Sequence, residues 1–509
     1  MTDQTQQSPV EGSPPVTAYT LDQHTATEEQ ADIIRFALGR NENILINALA
    51  GAAKTSTLRF LCKYLPPQPT LSLAFNKRIA DEMTKVLPGH VKAATMNSVG
   101  HRVWAAAVGK RLVLDTKKNF NIVKSEVEKL PRKERVEAYD IFGEITKAIS
   151  SAKTHGYVPG PMATGRSLIT KEDFFYSLEE KPDDWFIGIV DRALLESIRQ
   201  SYGGLIDFDD QIYMSTLFGG NFPQFRYLML DEVQDFNKLF HAMVDKLMGP
   251  STRLFAVGDP NQSIYVFRGA DTTSMSLIKN RFDMHEMTLS VSFRCPKAVV
   301  RNAWRRVPHM KWPEWAIEGT VETWAEWGPS NIPDNSAIIC RNNAPLLKCA
   351  LALLRSGRGV RLVGTDLGPQ LIKALKKLGD TNMEQKDVLS AIDLWEQERL
   401  AKSRNAASAT DKAECLRVFA GFGPTLGAAI GYAEHIFAAQ GPVQLLSGHK
   451  SKGLEWDTVY HLDPHRIPSP FAKEGEAYEQ ELNVRYVIET RAKKELIFIR
   501  LEDFNGDLE

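Results

Sequence analysis

Residues 227–235 read Y-L-M-L-D-E-V-Q-D, a short apolar run that ends in Asp231, Glu232, Gln234 and Asp235. Such a run has the pattern of a buried parallel strand. Two adjacent carboxylates at its end repel each other and resist desolvation unless a cation or polar ligand joins them. A magnesium-bound phosphate meets that need, and it predicts a phosphate loop elsewhere. The strand-like N-I-L-I-N at 43–47 leads into A-L-A-G-A-A-K-T-S-T-L at 48–58. The small residues Ala50, Gly51, Ala52 and Ala53 let backbone N–H groups approach phosphate oxygens. The helix start at Lys54, Thr55 and Ser56 adds positive potential. Lys54 would reach the β- and γ-phosphates, and the Thr55 hydroxyl would bind magnesium. Asp231 would hold the same metal, and Glu232 would orient and deprotonate an attacking water. The usual pattern has glycine where Ala48 and Ala53 stand. Taken alone, the loop could be an alanine-rich helix start; the acidic strand favours the phosphate site.

These residues need strands to carry them. Further strand-like runs are L-S-L-A-F (71–75), R-L-F-A-V-G (253–258), S-A-I-I-C (336–340), V-R-L-V-G (360–364), T-V-Y-H-L (458–462) and E-L-I-F-I-R (495–500). Most alternate with helix-like stretches, which argues for parallel α/β sheets. Residues 105–200 and 368–440 look helical instead and read as insertions. At 509 residues the chain exceeds one hydrophobic core, so several domains are expected. Composition is that of a globular protein, 43% hydrophobic and 25% charged. No apolar stretch approaches the roughly 18 residues of a membrane span. No secretory signal is visible at the N-terminus, and a cytoplasmic or nucleoid-associated protein is expected if the source is bacterial or phage. The five cysteines are scattered without a C-x-x-C pair, so reduced thiols are expected and a zinc or iron–sulfur site is not. A net charge of −1 gives no support for nucleic-acid binding but leaves local basic patches open.

Several motifs occur in order around these two. They are L-A-F-N-K-R-I-A-D-E-M (73–83), A-T-M-N-S-V-G (94–100), V-G-D-P-N-Q-S-I-Y-V-F-R-G-A-D (257–271) and S-F-R-C-P (292–296). Then come A-I-I-C-R-N-N-A (337–344), S-G-H-K-S-K-G-L-E-W-D (447–457) and L-N-V-R-Y-V-I-E-T-R-A (482–492). In this order they resemble the superfamily 1 helicases of the UvrD/Rep type, including the helicase part of F-box helicases. The resemblance implies two RecA-like parallel-sheet domains, each with a mainly helical insertion, and ATP with Mg2+ between them. It implies an ATP-dependent helicase or translocase acting on single-stranded DNA and single/double-strand junctions, moving 3′-to-5′.

The resemblance also implies roles. Gln30 would read the adenine edge, although T-E-E-Q at 27–30 is also a capping box. Phe293 would stack on the adenine, Glu455 would contact the sugar, and Gln262 would sense the γ-phosphate. Arg294 and Arg491 would reach the γ-phosphate as planar, always-charged donors. Phe75, Tyr265, Phe267 and Arg268 would stack on bases or hold the adjoining phosphate, with Asn76, Thr95, Asn97, His449 and Lys452 on the DNA backbone. A stripe of Lys297, Arg301 and Arg305 reads more readily as a solvated helix face. G-L-I-D-F-D-D (204–210) reads as structural or as support for the phosphate site.

The expected organisation is a disordered tail at 1–21, a first RecA-like domain at 22–105 and 200–290 with an insertion at 106–199, and a second at 291–367 and 441–509 with a short insertion at 368–440. The competing reading is a nucleotide-dependent DNA-binding regulatory protein with weak ATPase activity, motivated by Ala53.

Overall fold

The computed structural model describes residues 19–74, 76–178, 180–264, 273–364, 367–402 and 406–506. Its frame is two six-stranded sheets with parallel pairings throughout. The chain folds as two RecA-like α/β units. The first sheet contains β1 (Asn43–Ala48), β2 (Thr70–Leu73), β3 (Val91–Ala94), β4 (Tyr227–Leu230), β5 (Arg253–Gly258) and β6 (Met284–Leu289). Its spatial order is β6-β1-β5-β4-β2-β3. The second contains β7 (Thr320–Thr323), β8 (Ala337–Cys340), β9 (Val360–Leu362), β10 (Val443–Ser447), β11 (Trp456–Leu462) and β12 (Ala492–Ile499), in the order β7-β12-β11-β8-β10-β9.

The inner strands β4, β5 and β8 are buried along their whole length, as expected of parallel strands covered on both faces. One apolar core joins the first sheet to the helices between 96 and 247, and another joins the second sheet to the helices between 367 and 438. A third core contains Ile44, Ile46 and Val257 of the first sheet together with Leu446, Val459 and Leu496 of the second. The two sheets therefore share packed side chains.

The helical stretch after β3 is fixed by buried charge. Lys118 Nζ lies 2.6 Å from Asp210 Oδ2, and Lys153 Nζ lies 2.5 Å from Asp207 Oδ2 and 2.7 Å from Asp210 Oδ1. D-F-D-D is thus a structural anchor for two insertion helices, those that carry Lys118 and Lys153. The two helical regions also touch, through Lys377 with Asp140 at 2.9 Å and Arg399 with Glu180 at 2.6 Å.

Two expectations need correction. Residues 19–21 are ordered and not part of a tail: Thr20–Leu21 pairs with His24–Thr25, and Tyr19 is buried edge-on against Tyr64. The helix carrying Lys297 and Arg301 ends at Ala303, so Arg305 lies off it, and Arg301 is paired with Glu318. No helix among the described residues is long and apolar enough to cross a membrane.

Candidate active site

In the first sheet β5 lies between β1 and β4. The loops that follow these three strands therefore share one edge, the carboxyl ends, where open α/β sheets bind ligands. After β1 comes the loop Leu49–Ala53 and the helix Lys54–Tyr64. After β4 come Asp231 and Glu232, and after β5 the turn Asp259–Gln262.

The loop is held in a strained form. Gly51 has φ +75 and Ala53 has φ 55, ψ 43, both left-handed. For Ala53 that conformation costs about 1–2 kcal/mol. Gly51 has no room for a side chain: a Cβ there would meet Ser292 Oγ at 2.6 Å and Arg294 Cβ at 2.8 Å. The Gly51 carbonyl accepts from Phe293 N–H at 2.9 Å. The segment that follows β6 thus closes on the loop.

The charged groups converge. Lys54 Nζ stands 3.2 Å from Glu232 Oε2. Burial alone would lower Lys54, but Glu232, Asp259 and Asp231 more than offset it and hold it above its ordinary value. Burial opposes the charge of Glu232, yet Lys54, Lys452 and a hydrogen bond from Gln234 hold it down to about 2. Burial, then the Glu232 charge, pushes Asp231 up to about 7. Thr55 Oγ1 donates to Asp231 Oδ2 at 3.3 Å. A hydroxyl beside a carboxylate that resists ionisation fits a magnesium ion, which would supply the missing positive charge. Among the described residues no cluster of three or more His, Cys, Asp or Glu side chains could hold a metal by itself.

Gln234 and Asp235 gain partners. Gln234 Nε2 donates to Glu232 Oε2 at 2.5 Å, and its Oε1 accepts from Asp259 N–H at 3.0 Å. Asp235 accepts from Lys452 Nζ at 2.6 and 2.7 Å, and the same ammonium donates to the Gln262 carbonyl at 2.6 Å.

The second sheet presents residues from the amino ends of two strands. Glu455 precedes β11 and Arg491 precedes β12. Glu455 Oε2 accepts from Arg294 Nε at 2.6 Å. Arg491 is 1% exposed. It donates to the Val487 carbonyl at 2.8 Å, to Gln262 Oε1 at 3.2 Å and to the Leu454 carbonyl at 3.4 Å. Burial, then the charge of Arg294, lowers it to about 10, so it stays charged at neutral pH. Among the described residues no carboxylate forms an ion pair with it. A buried cation of this kind is poised for an anion.

With this geometry in place, comparison with known proteins is decisive. The family model of the UvrD/REP helicase N-terminal domain matches residues 26–283. The chain belongs to the UvrD/REP helicase family. The UvrD-like helicase C-terminal domain matches residues 428–503. F-box DNA helicase protein 1 of Schizosaccharomyces pombe is 23% identical over 526 residues, covering 92% of this chain and 57% of that protein. F-box DNA helicase 1 of Gallus gallus is 24% identical over 522 residues, covering 94% and 49%. ATP-dependent DNA helicase PcrA of Leuconostoc citreum is 25% identical over 311 residues, covering 53% and 39%. The chain spans about half the length of the curated relatives it matches.

Phe293, expected to stack on the adenine, is 37% exposed and tilts against Trp315, with ring centroids 6.2 Å apart. Gln30 is buried in its capping role. Its Oε1 accepts from Thr27 N–H at 3.0 Å and its Nε2 donates to Thr57 Oγ1 at 3.0 Å. These bonds leave Gln30 one amide hydrogen and one oxygen lone pair for an adenine contact.

Asn76 caps the helix Lys77–Val86 after β2, and Thr95 caps Met96–Val108 after β3. These two helix N-termini therefore lie beside each other. Asn97 Nδ2 donates to the Phe208 carbonyl at 2.9 Å. His449 is half-buried in the short helix after β10. The ammonium of Lys452, expected on the DNA backbone, is bonded to Asp235 and to the Gln262 carbonyl. Phe75, Tyr265, Phe267 and Arg268 lie outside the described residues.

Two further residues stand at these sites. Phe208 is 56% exposed beside Asn97, between aspartates that are themselves held inward. An aromatic flanked by acids was the available signal, obscured by reading D-F-D-D for its carboxylates alone. Tyr486 lies within the motif that contributed Arg491, and its hydroxyl accepts from the Ala50 N–H at 2.9 Å.

Proposed function

We propose that this chain is an ATP-driven motor that moves along single-stranded DNA, 3′-to-5′, and displaces the complementary strand. The observation that carries this reading is Arg491, a buried guanidinium bonded to Gln262 at the edge where Lys54 and Glu232 meet. The relatives' names, as DNA helicases, support the choice of DNA. The motor's two halves are residues 22–105 with 200–290, and 291–367 with 441–509; 106–199 and 368–440 are the insertions.

In this reading the γ-phosphate competes for two existing ion pairs. It draws Lys54 from Glu232 and Arg294 from Glu455. Glu232, once released, accepts a proton from the attacking water. Thr55 and Asp231 would hold magnesium, which would neutralise phosphate charge when bound. Gln262 and Arg491 hold the γ-phosphate from the opposite side, so its departure loosens the contact between the two sheets. Ala50, Gly51, Ala52, Ala53 and Ser56 cradle the phosphates, while Gln30, Phe293 and Glu455 hold the base and sugar. Asn76, Thr95, Asn97 and His449 line the DNA path, joined by Phe208. Phe75, Tyr265, Phe267 and Arg268 complete that path by resemblance.

Strand displacement on duplexes with 3′ or 5′ tails, with and without ATP, tests this. Displacement of 3′-tailed substrates that requires ATP is expected; none on either tail overturns the motor. The left-handed Ala53 favours a second reading, a DNA-binding regulator with weak turnover. A near-zero wild-type rate restored by Ala53→Gly would select it.

A further inference from the structure

The helix Gly475–Glu489 carries Tyr486 beneath the phosphate loop, where the side chain is buried. Its hydroxyl accepts from the Ala50 N–H at 2.9 Å and donates to Asp259 Oδ2 at 3.4 Å. Asp259 Oδ2 also accepts from Gln262 Nε2 at 2.7 Å, and Gln262 Oε1 accepts from Arg491 Nη2 at 3.2 Å. A single hydrogen-bonded chain therefore runs from the phosphate loop through Tyr486, Asp259 and Gln262 to Arg491. Burial, then the charge of Asp259, pushes the phenol well above its ordinary value. It stays neutral, and a neutral hydroxyl can accept from one neighbour while donating to the other.

We infer that Tyr486 is a positioning residue for phosphate transfer, one that sets the phosphate loop in register with Gln262 and Arg491. The inference rests on the ATP site proposed above. Two residues of the loop are left-handed, so its shape depends on outside support. Tyr486 comes from the helix that leads to Arg491, so one element both supports the loop and aims the guanidinium. Asn483 of the same helix donates to the Pro260 carbonyl at 3.3 Å and the Ser263 carbonyl at 3.1 Å, which fixes the helix against the turn bearing Gln262. Tyr486 need not touch nucleotide. It holds the groups that receive the γ-phosphate at one distance from the groups that stabilise its transfer, and errors in that distance reduce rate more than affinity.

The test is Tyr486→Phe, which keeps the ring and removes the hydroxyl. DNA-stimulated ATP hydrolysis is measured well below the melting temperature of each variant. The expected result is a kcat about ten- to a hundredfold lower with KM for ATP nearly unchanged. In a Gln262→Ala background the chain is already cut, so Tyr486→Phe should add little further loss. Wild-type kcat in Tyr486→Phe, beside an active wild type, overturns the inference alone. So does an equal loss in both backgrounds, which marks a structural role only. An inert wild type in the presence of DNA and ATP sinks the ATPase reading as well.

Discussion

Lys54 Nζ and Glu232 Oε2 lie 3.2 Å apart, so the cation proposed for phosphate and the carboxylate proposed for water hold each other. Burial works against the Glu232 charge, but Lys54, Lys452 and the hydrogen bond from Gln234 hold its carboxyl well below the ordinary value, which makes it a weak base. In the proposed mechanism a phosphate that withdraws the Lys54 ammonium raises this basicity, which would tie water activation to nucleotide binding. Glu232→Gln should lower DNA-stimulated kcat by about 10²–10⁴ and leave ATP affinity largely intact. Steady-state turnover together with nucleotide titration checks this, and unchanged kcat would sink the general-base role.

Ala53→Gly should raise the melting temperature, because glycine adopts φ 55 without the Cβ clash. Relief of about 1–2 kcal/mol is offset in part by the greater freedom of glycine in the unfolded chain. Turnover should be equal to wild type or higher. Thermal unfolding and steady-state ATPase measured on the same preparations check both. A lower melting temperature would mean that the Ala53 methyl makes packing contacts worth more than the strain.

Much of this is legible in the sequence because its motifs fix particular residue types directly after particular apolar strands. All eight strand-like runs appear as strands, and Lys54, Thr55, Asp231 and Glu232 meet at one sheet edge. The strands β3, β6 and β7 were not anticipated. Each is the outer strand of its sheet, and solvent-facing Lys92, Glu286 and Glu322 break the apolar run that marks an inner strand. β10 is an inner strand, but V-Q-L-L-S is short and interrupted by Gln444. Lys452 could not be placed either. Its motif fixes the turn it sits on, whereas Asp235, its partner, lies 217 residues away. Tyr486 was hidden for the same reason, being 436 residues from Ala50.

Phe208→Ala should weaken single-stranded DNA binding. The ring projects from a loop in which Asp207 and Asp210 are buried and bonded to each other, so little ordering is needed for it to meet a base. Loss of one stacked base costs about 1–3 kcal/mol. Fluorescence anisotropy with a labelled oligonucleotide reads this as a higher Kd, while ATP hydrolysis without DNA stays at the wild-type rate. Equal Kd values would remove Phe208 from the DNA path.

Lys153→Met should be severely destabilising. Lys153 Nζ is the partner of both Asp207 and Asp210, at 2.5 and 2.7 Å, in a fully enclosed site. Removing one member of a buried ion pair leaves an uncompensated charge and costs about 3–5 kcal/mol. Lys118 alone then faces two carboxylates. Denaturant unfolding should show a lower midpoint, and Lys153→Met with Asp207→Asn together should recover part of the loss. No recovery in the double variant would mean that packing, not charge, supports this anchor.

Asp209 should make stability depend on pH between about 4 and 6. Burial, then the charge of Asp207, raises its carboxyl from 3.8 to about 6, against the opposing pull of a hydrogen bond from Ser150 and the charge of Lys153. Asp210 adds a further negative charge on the same side. The sign follows from which state releases its proton first. Below the unfolded value of 3.8 both states are protonated and Asp209 carries no penalty. As pH rises toward about 6 the unfolded chain ionises while the folded carboxyl does not, so stability falls. Above that value the penalty is complete and constant. Asp209→Asn keeps an oxygen for Ser150 Oγ, which lies 2.5 Å from Asp209 Oδ2, and abolishes the titration. The variant should match wild type near pH 4, gain stability over it as pH rises to about 6, and hold that gain to pH 8. Paired thermal melts across this range measure the difference directly. A difference that stays flat with pH would mean that Asp209 ionises in the folded protein as it does in the unfolded chain.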